Sequence, residues 1–247
     1  MALTIAVSGK GGSGKTTFSA MMMRSLIERA PGKAVLGVDA DSNSCLGITL
    51  GAELVGTVAD IRDQARALKP SNAGMDRLRT VEYGIQQSLT EAQGFDLLTM
   101  GRPEGPDCYC AVNNMLRKFL DELGSQYQFV VIDNEAGMEH LSRRTTNNVD
   151  MLCIVAEPNA VGEVTARRIY QLVEKLPIVV KKTGLVWNRT GNDKKLDGID
   201  ILGHIPYDEA VSDASMQGKT VFDLDAASPA LVAAGRIVEN ILELSSS

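Results

Sequence analysis

Gly9-Lys10-Gly11-Gly12-Ser13-Gly14-Lys15-Thr16 is the stretch that decides how this chain folds. The apolar run Leu3–Val7 leads into it, and a helix-like stretch from Thr16 to Ala30 leaves it and stops at Pro31-Gly32. Short apolar run, glycine loop and helix in that order read as a buried strand turning back into a helix. The glycines let successive backbone N–H groups turn toward one point, where a side chain would block the approach. The helix that follows adds the positive end of its dipole. Such a loop is built to hold an anion, and the lysine and hydroxyl that close it name the anion as a polyphosphate.

The eight residues satisfy G-x-x-x-x-G-K-[ST] at every required position, between a strand and a helix as the pattern demands. The reading is a phosphate loop for Mg²⁺–ATP. The backbone of Gly11, Gly12, Ser13 and Gly14 cradles the phosphates, Lys15 reaches the β- and γ-phosphates, and the Thr16 hydroxyl completes the Mg²⁺ shell. Thr17 is placed to donate to the α-phosphate.

Outward from the loop, further apolar runs at Ala34–Val38, Phe95–Met100, Phe129–Ile132, Met151–Val155, Thr183–Trp187 and Ile199–Leu202 read as strands. Helical stretches are expected from Thr57 to about Leu68, from about Ala111 to Leu123, over Ala160–Leu176 and from Pro229 to about Leu244. Alternating strands and helices imply an α/β fold, a mostly parallel sheet with helices on both faces. Residues 1–247 are expected to form a single P-loop domain. Residues 70–94 are the least regular stretch and are expected at the periphery.

Composition narrows the function. The chain is 44% hydrophobic but only 4% aromatic, so its core has to be aliphatic. A net charge of −6 argues against a general nucleic-acid coat. No apolar run reaches the roughly 20 residues of a membrane span, and no signal-peptide layout precedes Leu3. The expectation is a cytoplasmic protein with no nucleic-acid or membrane partner. The four cysteines, Cys45, Cys108, Cys110 and Cys153, are not expected to form a disulfide framework in such a chain. Cys153, inside an apolar run, reads as a core residue.

Two acidic segments complete the nucleotide chemistry. Asp39-Ala40-Asp41 follows the second strand, at the sheet edge that faces the phosphates. Phe129-Val-Val-Ile-Asp133 is an apolar strand ending in an acid, and Asp133 is expected to hold the magnesium shell through water. With the Lys10-to-Lys15 segment, these resemble the deviant Walker A family that contains the partition ATPases, the septum-site ATPase, the nitrogenase iron protein and the arsenite-pump ATPase. That resemblance implies a homodimer in which Lys10 crosses to the partner's nucleotide. It implies that Asp41 positions the attacking water, that Asp39 makes an outer magnesium contact, and that the Gly137 amide in Asn134-Glu-Ala-Gly137 senses the γ-phosphate. It also places Asn188 and Arg189 against the adenine, with the backbone of Pro206-Tyr207-Asp208 lining the base pocket.

Cys108-Tyr-Cys110 does not belong to the nucleotide chemistry. Two thiols at this spacing leave a soft or borderline metal under-coordinated, and a two-fold dimer would supply four. Zn²⁺ would take such a site tetrahedrally and Ni²⁺ in a plane. The segment Gly101-Arg-Pro-Glu-Gly-Pro-Asp-Cys-Tyr-Cys110, with the loop and the Asp133–His140 stretch, resembles the nickel-maturation ATPases of carbon monoxide dehydrogenase, the CooC type. The implied role is ATP-dependent delivery of nickel to carbon monoxide dehydrogenase or acetyl-CoA synthase.

Two other readings use the same loop. An iron–sulfur reductase would carry a cysteine in its second switch, and Asp133–Leu141 has none. A septum-type positioning ATPase would end in a Lys- and Arg-rich amphipathic helix, whereas Leu231–Leu244 carries Arg236 against Glu239 and Glu243. His140 and His204 are the only histidines, so the chain has no histidine-rich metal store.

Overall fold

The computed structural model describes residues 2–32, 34–67, 83–101, 122–135, 148–175, 178–192 and 194–246. Through them runs one eight-stranded sheet in the order β3-β4-β2-β5-β1-β6-β7-β8. Its strands are β1 (Leu3–Gly9), β2 (Val35–Ala40), β3 (Thr90–Ala92), β4 (Phe95–Thr99), β5 (Phe129–Asn134), β6 (Asn148–Ala156), β7 (Val179–Asn188) and β8 (Asp200–Ile205). All neighbours are parallel except β3 and β4. The α/β expectation therefore holds.

β1 lies at mid-sheet between β5 and β6. Later strands extend to either side of it, so its carboxyl end opens onto the crevice where doubly wound sheets bind ligands. Helix α1 (Lys15–Arg29) covers one face with α6 (Pro229–Ser246), and α4 (Ala160–Val173) covers the other with α3 (Val58–Ala67). The two apolar clusters follow the period-2 alternation of the strands. Ile5, Val7, Val131 and Val155 face α1, while Ala6, Ile132 and Ile154 face α4. As the low aromatic content requires, the cores are built mainly from Val, Ile, Leu, Ala and Met, with Cys153 among them.

Local chemistry sets the element ends. Thr57 caps α3 in a reciprocal box: its hydroxyl accepts the Asp60 N–H at 3.1 Å, and the Asp60 carboxylate accepts the Thr57 N–H at 3.0 Å. Asn159 caps α4 by accepting the Gly162 N–H at 2.9 Å.

Several sequence expectations need correction. The stretch read as irregular contains helical residues 83–88 and strand β3, which folds back on β4 across Gln93-Gly94 with Gly94 at φ +91°. Of its described part, β3 is peripheral, as expected, because it forms the sheet edge, whereas Ile85 and Ser88 of the helical residues are buried. Helices α2 (Cys45–Leu50) and α5 (Glu209–Met216) have no counterpart in the sequence reading. Strands β6 and β7 run well beyond their apolar cores. Most of the expected helix 111–123 falls outside the described residues, as do Cys108, Cys110, Gly137 and His140.

Candidate functional site

The phosphate loop sits where β1 gives way to α1. Gly14 adopts φ +89°, and a Cβ there would stand 2.3 Å from the Asn188 amide nitrogen, so glycine is required on two grounds. Beside Gly11 and Gly12 a Cβ would meet nothing within 4 Å, which leaves the mouth of the loop open. The Ser13 N–H donates to the Lys10 carbonyl at 3.1 Å, and the Lys15 ammonium donates to the same carbonyl at 3.3 Å. Lys15 is buried, whereas Lys10 is exposed. Thr16 and Thr17 lie on the first turn of α1, half-buried.

Asp39 and Asp133 are register partners on β2 and β5, and both face α1. Asp133 accepts the Ser19 hydroxyl at 3.0 Å through Oδ1, while its Oδ2 is buried without a partner. Asp39 accepts the Leu46 N–H at 2.8 Å and the Asp41 N–H at 3.2 Å. Like charges placed opposite each other on neighbouring strands repel. Burial, partly offset by these hydrogen bonds and reinforced by the neighbouring carboxylates, pushes Asp39 up to about 7 and Asp133 to about 6. Asp41 is less buried and folds onto its own loop, with Oδ1 accepting the Asn43 backbone and side-chain N–H groups at 2.9 Å.

These residues fit Mg²⁺–nucleotide. An open glycine cradle, a buried ammonium and two close carboxylates, one with an orphaned oxygen, make up a donor set for a polyphosphate and a hard divalent cation.

Beside the first turn of α1 lies a cavity of about 420 Å³, bordered by Gly14, Thr17, Asn188, Pro206, Tyr207 and Asp208. The sequence-named base residues are thus brought together next to the loop. Their side chains carry roles that the sequence did not suggest. The Asn188 amide donates to the Ser13 carbonyl at 2.7 Å and its Oδ1 accepts the Arg189 N–H at 2.9 Å, leaving one N–H and one lone pair for a base. The Arg189 guanidinium turns to Glu157 and Gly12. Met21 and the α5 residues Val211, Ser212 and Met216 also border the cavity, and sequence reasoning missed them. Asp208 two residues after Pro206 was the available signal, a capping acid opening a short helix.

Asp208 is a double cap. Its Oδ1 accepts the Ala210 N–H of α5 at 3.0 Å, and its Oδ2 accepts the Ser228 hydroxyl at 2.6 Å and the Ala230 N–H of α6 at 3.2 Å. Slight burial opposes the charge, but these hydrogen bonds outweigh it and hold the carboxyl below its usual range. Asp208→Ala is expected to lose about 2 kcal/mol, two caps' worth, and about 4–8 °C of melting temperature. A depressed acid stabilises above its unfolded pKa and loses that contribution as pH falls through its folded pKa. The gap between variant and wild type, followed by thermal denaturation, should therefore narrow in acid.

Residues 4–221 match the family model described as the CobQ/CobB/MinD/ParA nucleotide binding domain. An uncharacterized ATP-binding protein of Methanocaldococcus jannaschii is 40% identical over 233 residues, 90% of this chain and 91% of the relative. The carbon monoxide dehydrogenase accessory protein CooC of Rhodospirillum rubrum is 31% identical over 244 residues, 91% of each chain. Among solved structures, the septum site-determining protein MinD of Pyrococcus horikoshii, complexed with Mg-ADP, superposes with a TM-score of 0.70. That match has 21% identity and covers 99% of this chain and 97% of the other, a likeness of fold.

Proposed function

The chain belongs to the CobQ/CobB/MinD/ParA nucleotide-binding family of P-loop ATPases, and from that premise we propose that it is a nucleotide-gated homodimer that delivers nickel to carbon monoxide dehydrogenase or acetyl-CoA synthase. The observation that carries the nickel reading is the similarity to the dehydrogenase accessory protein along 91% of both chains. It is supported by the Cys108-Tyr-Cys110 pair, which the nucleotide chemistry does not use.

In this reading the loop amides and Lys15 bind the phosphates. Thr16, Asp133 and Asp39 hold the shell of the magnesium ion, which neutralises phosphate charge when bound. Asp41 orients the attacking water, and the Gly137 amide follows the γ-phosphate. Lys10, exposed in this chain, reaches the nucleotide of the second subunit. Cys108 and Cys110 of each subunit together offer four thiolates to nickel, the cargo, or to Zn²⁺ in its place. ATP favours one dimer geometry and hydrolysis the other, so metal affinity changes with nucleotide state.

A positioning role of the septum or partition kind is the second reading, favoured by the shared fold. In its membrane-bound form it needs an amphipathic helix with a free apolar face. Here α6 spends that face on the core, burying Ala230, Leu231, Ala234, Ile237, Val238 and Ile241. Among the described residues no helix is long and apolar enough to cross a membrane.

The test is maturation of nickel-free carbon monoxide dehydrogenase or acetyl-CoA synthase by this protein with Ni²⁺ and Mg–ATP. Client activity is expected to appear only with hydrolysable ATP. Equal activation by Ni²⁺ alone, for both clients, would remove the delivery role and leave an ATPase of the positioning kind.

A further inference from the structure

Arg189 has a left-handed backbone, φ +59°, among described non-glycine residues a feature shared only with Ser44. That conformation costs a side-chain-bearing residue roughly 1–2 kcal/mol, so the surroundings must enforce it. Three contacts do. The Arg189 N–H is held by the Asn188 Oδ1, and its guanidinium donates to the Glu157 carboxylate at 2.5 Å and to the Gly12 carbonyl at 3.3 Å.

We propose that Arg189 and Glu157 are positioning residues that clip the phosphate loop into its binding shape, rather than readers of the base. In a planar trans peptide the C=O and the following N–H point to opposite sides. Arg189 holds the carbonyl of the Gly12–Ser13 peptide, and Lys10 O holds its N–H from the other side. Asn188 holds the carbonyl of the Ser13–Gly14 peptide, which turns the Gly14 N–H away from Asn188. Two consecutive residues at the end of β7 thus fix two consecutive peptide planes of the loop. The Lys10 carbonyl, pinned in the same turn, also receives the Lys15 ammonium.

Glu157 does more than neutralise Arg189. The arginine side chain is 50% exposed, and an ion pair this open contributes little energy. Its value is geometric. The other Glu157 oxygen accepts the Asn159 amide at 3.1 Å, and Asn159 is the cap of α4. The guanidinium is therefore anchored to the ends of β6 and α4, and the loop is anchored to the guanidinium.

This inference rests on the loop's binding of polyphosphate and is independent of the nickel reading. The probe is Mg²⁺–tripolyphosphate, which has no base, compared with Mg²⁺–ATP by calorimetry. Arg189→Ala is expected to weaken both by a similar factor, about three- to tenfold for one lost positioning hydrogen bond. Glu157→Gln should weaken both by less, and Arg189→Lys, whose ammonium keeps the charge and the donors but not the planar fork that fixes their direction, should fall between. The two milder variants carry the test if Arg189→Ala does not fold. Weakened ATP binding with unchanged tripolyphosphate binding would make Arg189 a base contact and overturn the clip, as would no change in either. Wild-type protein that bound neither probe would instead remove the nucleotide reading beneath it.

Discussion

Lys15→Ala is expected to abolish ATP turnover while leaving the fold in place. Lys15 is 7% exposed at the first turn of α1, and the Lys10 carbonyl at 3.3 Å holds its ammonium. Among the described residues it makes no ion pair. Its positive charge also lowers the Asp133 carboxyl, a smaller influence there than burial and the hydrogen bonds from Thr16 and Ser19. A pre-placed charge at the point where charge develops on a transferring phosphoryl group is worth on the order of 10²–10³ in rate. Phosphate release at saturating Mg–ATP should fall by at least that factor, with an unchanged circular dichroism spectrum. Turnover within tenfold of wild type would mean that the loop is not the hydrolytic site.

Asp133→Asn should make the metal-free protein more stable and inactive at once. The acid is fully buried beside Asp39, with one oxygen unpartnered. Asparagine keeps the carbonyl that accepts Ser19 and removes a buried charge facing another. The pH dependence follows from the raised pKa values, about 6 for Asp133 and about 7 for Asp39, against 3.8 for both when unfolded. Between these limits the folded state binds more protons than the unfolded one, so stability is fully present below about pH 4 and declines as pH rises toward 7. Denaturation without Mg²⁺ should therefore show wild type weakening across that window, and Asp133→Asn weakening less. At pH 8 the variant should lead by about 1–3 kcal/mol, a lead that vanishes in acid. Mg–ADP should raise the melting temperature of wild type far more than that of the variant. A variant less stable than wild type at pH 8 would show that the carboxylate is satisfied without the cation.

What the sequence could reveal depended on how locally each feature is encoded. The phosphate loop, α1 and the acids ending β2 and β5 are each written within a few residues, and the structure assembles them as read. β3 is three residues long and borrows its stability from β4, so no periodicity announced it, though Gln93-Gly94 was a turn signal. α5 is short and depends on an acid that also caps α6, about 20 residues later. The roles of Asn188 and Arg189 escaped for a different reason. Their partners Ser13 and Gly12 lie 175 and 177 positions away, and only the sheet order brings β7 within reach of the loop. Cys108 and Cys110 lie outside the described residues, so the metal reading stands on their spacing and on similarity.

Native mass spectrometry with one equivalent of Ni²⁺ per dimer is the most direct measurement, on wild type and on Cys108→Ala/Cys110→Ala. A wild-type dimer carrying one nickel is expected, and a variant that still binds ATP but carries none. Nickel retained by the double variant, or absent from both proteins, would contradict the nickel reading.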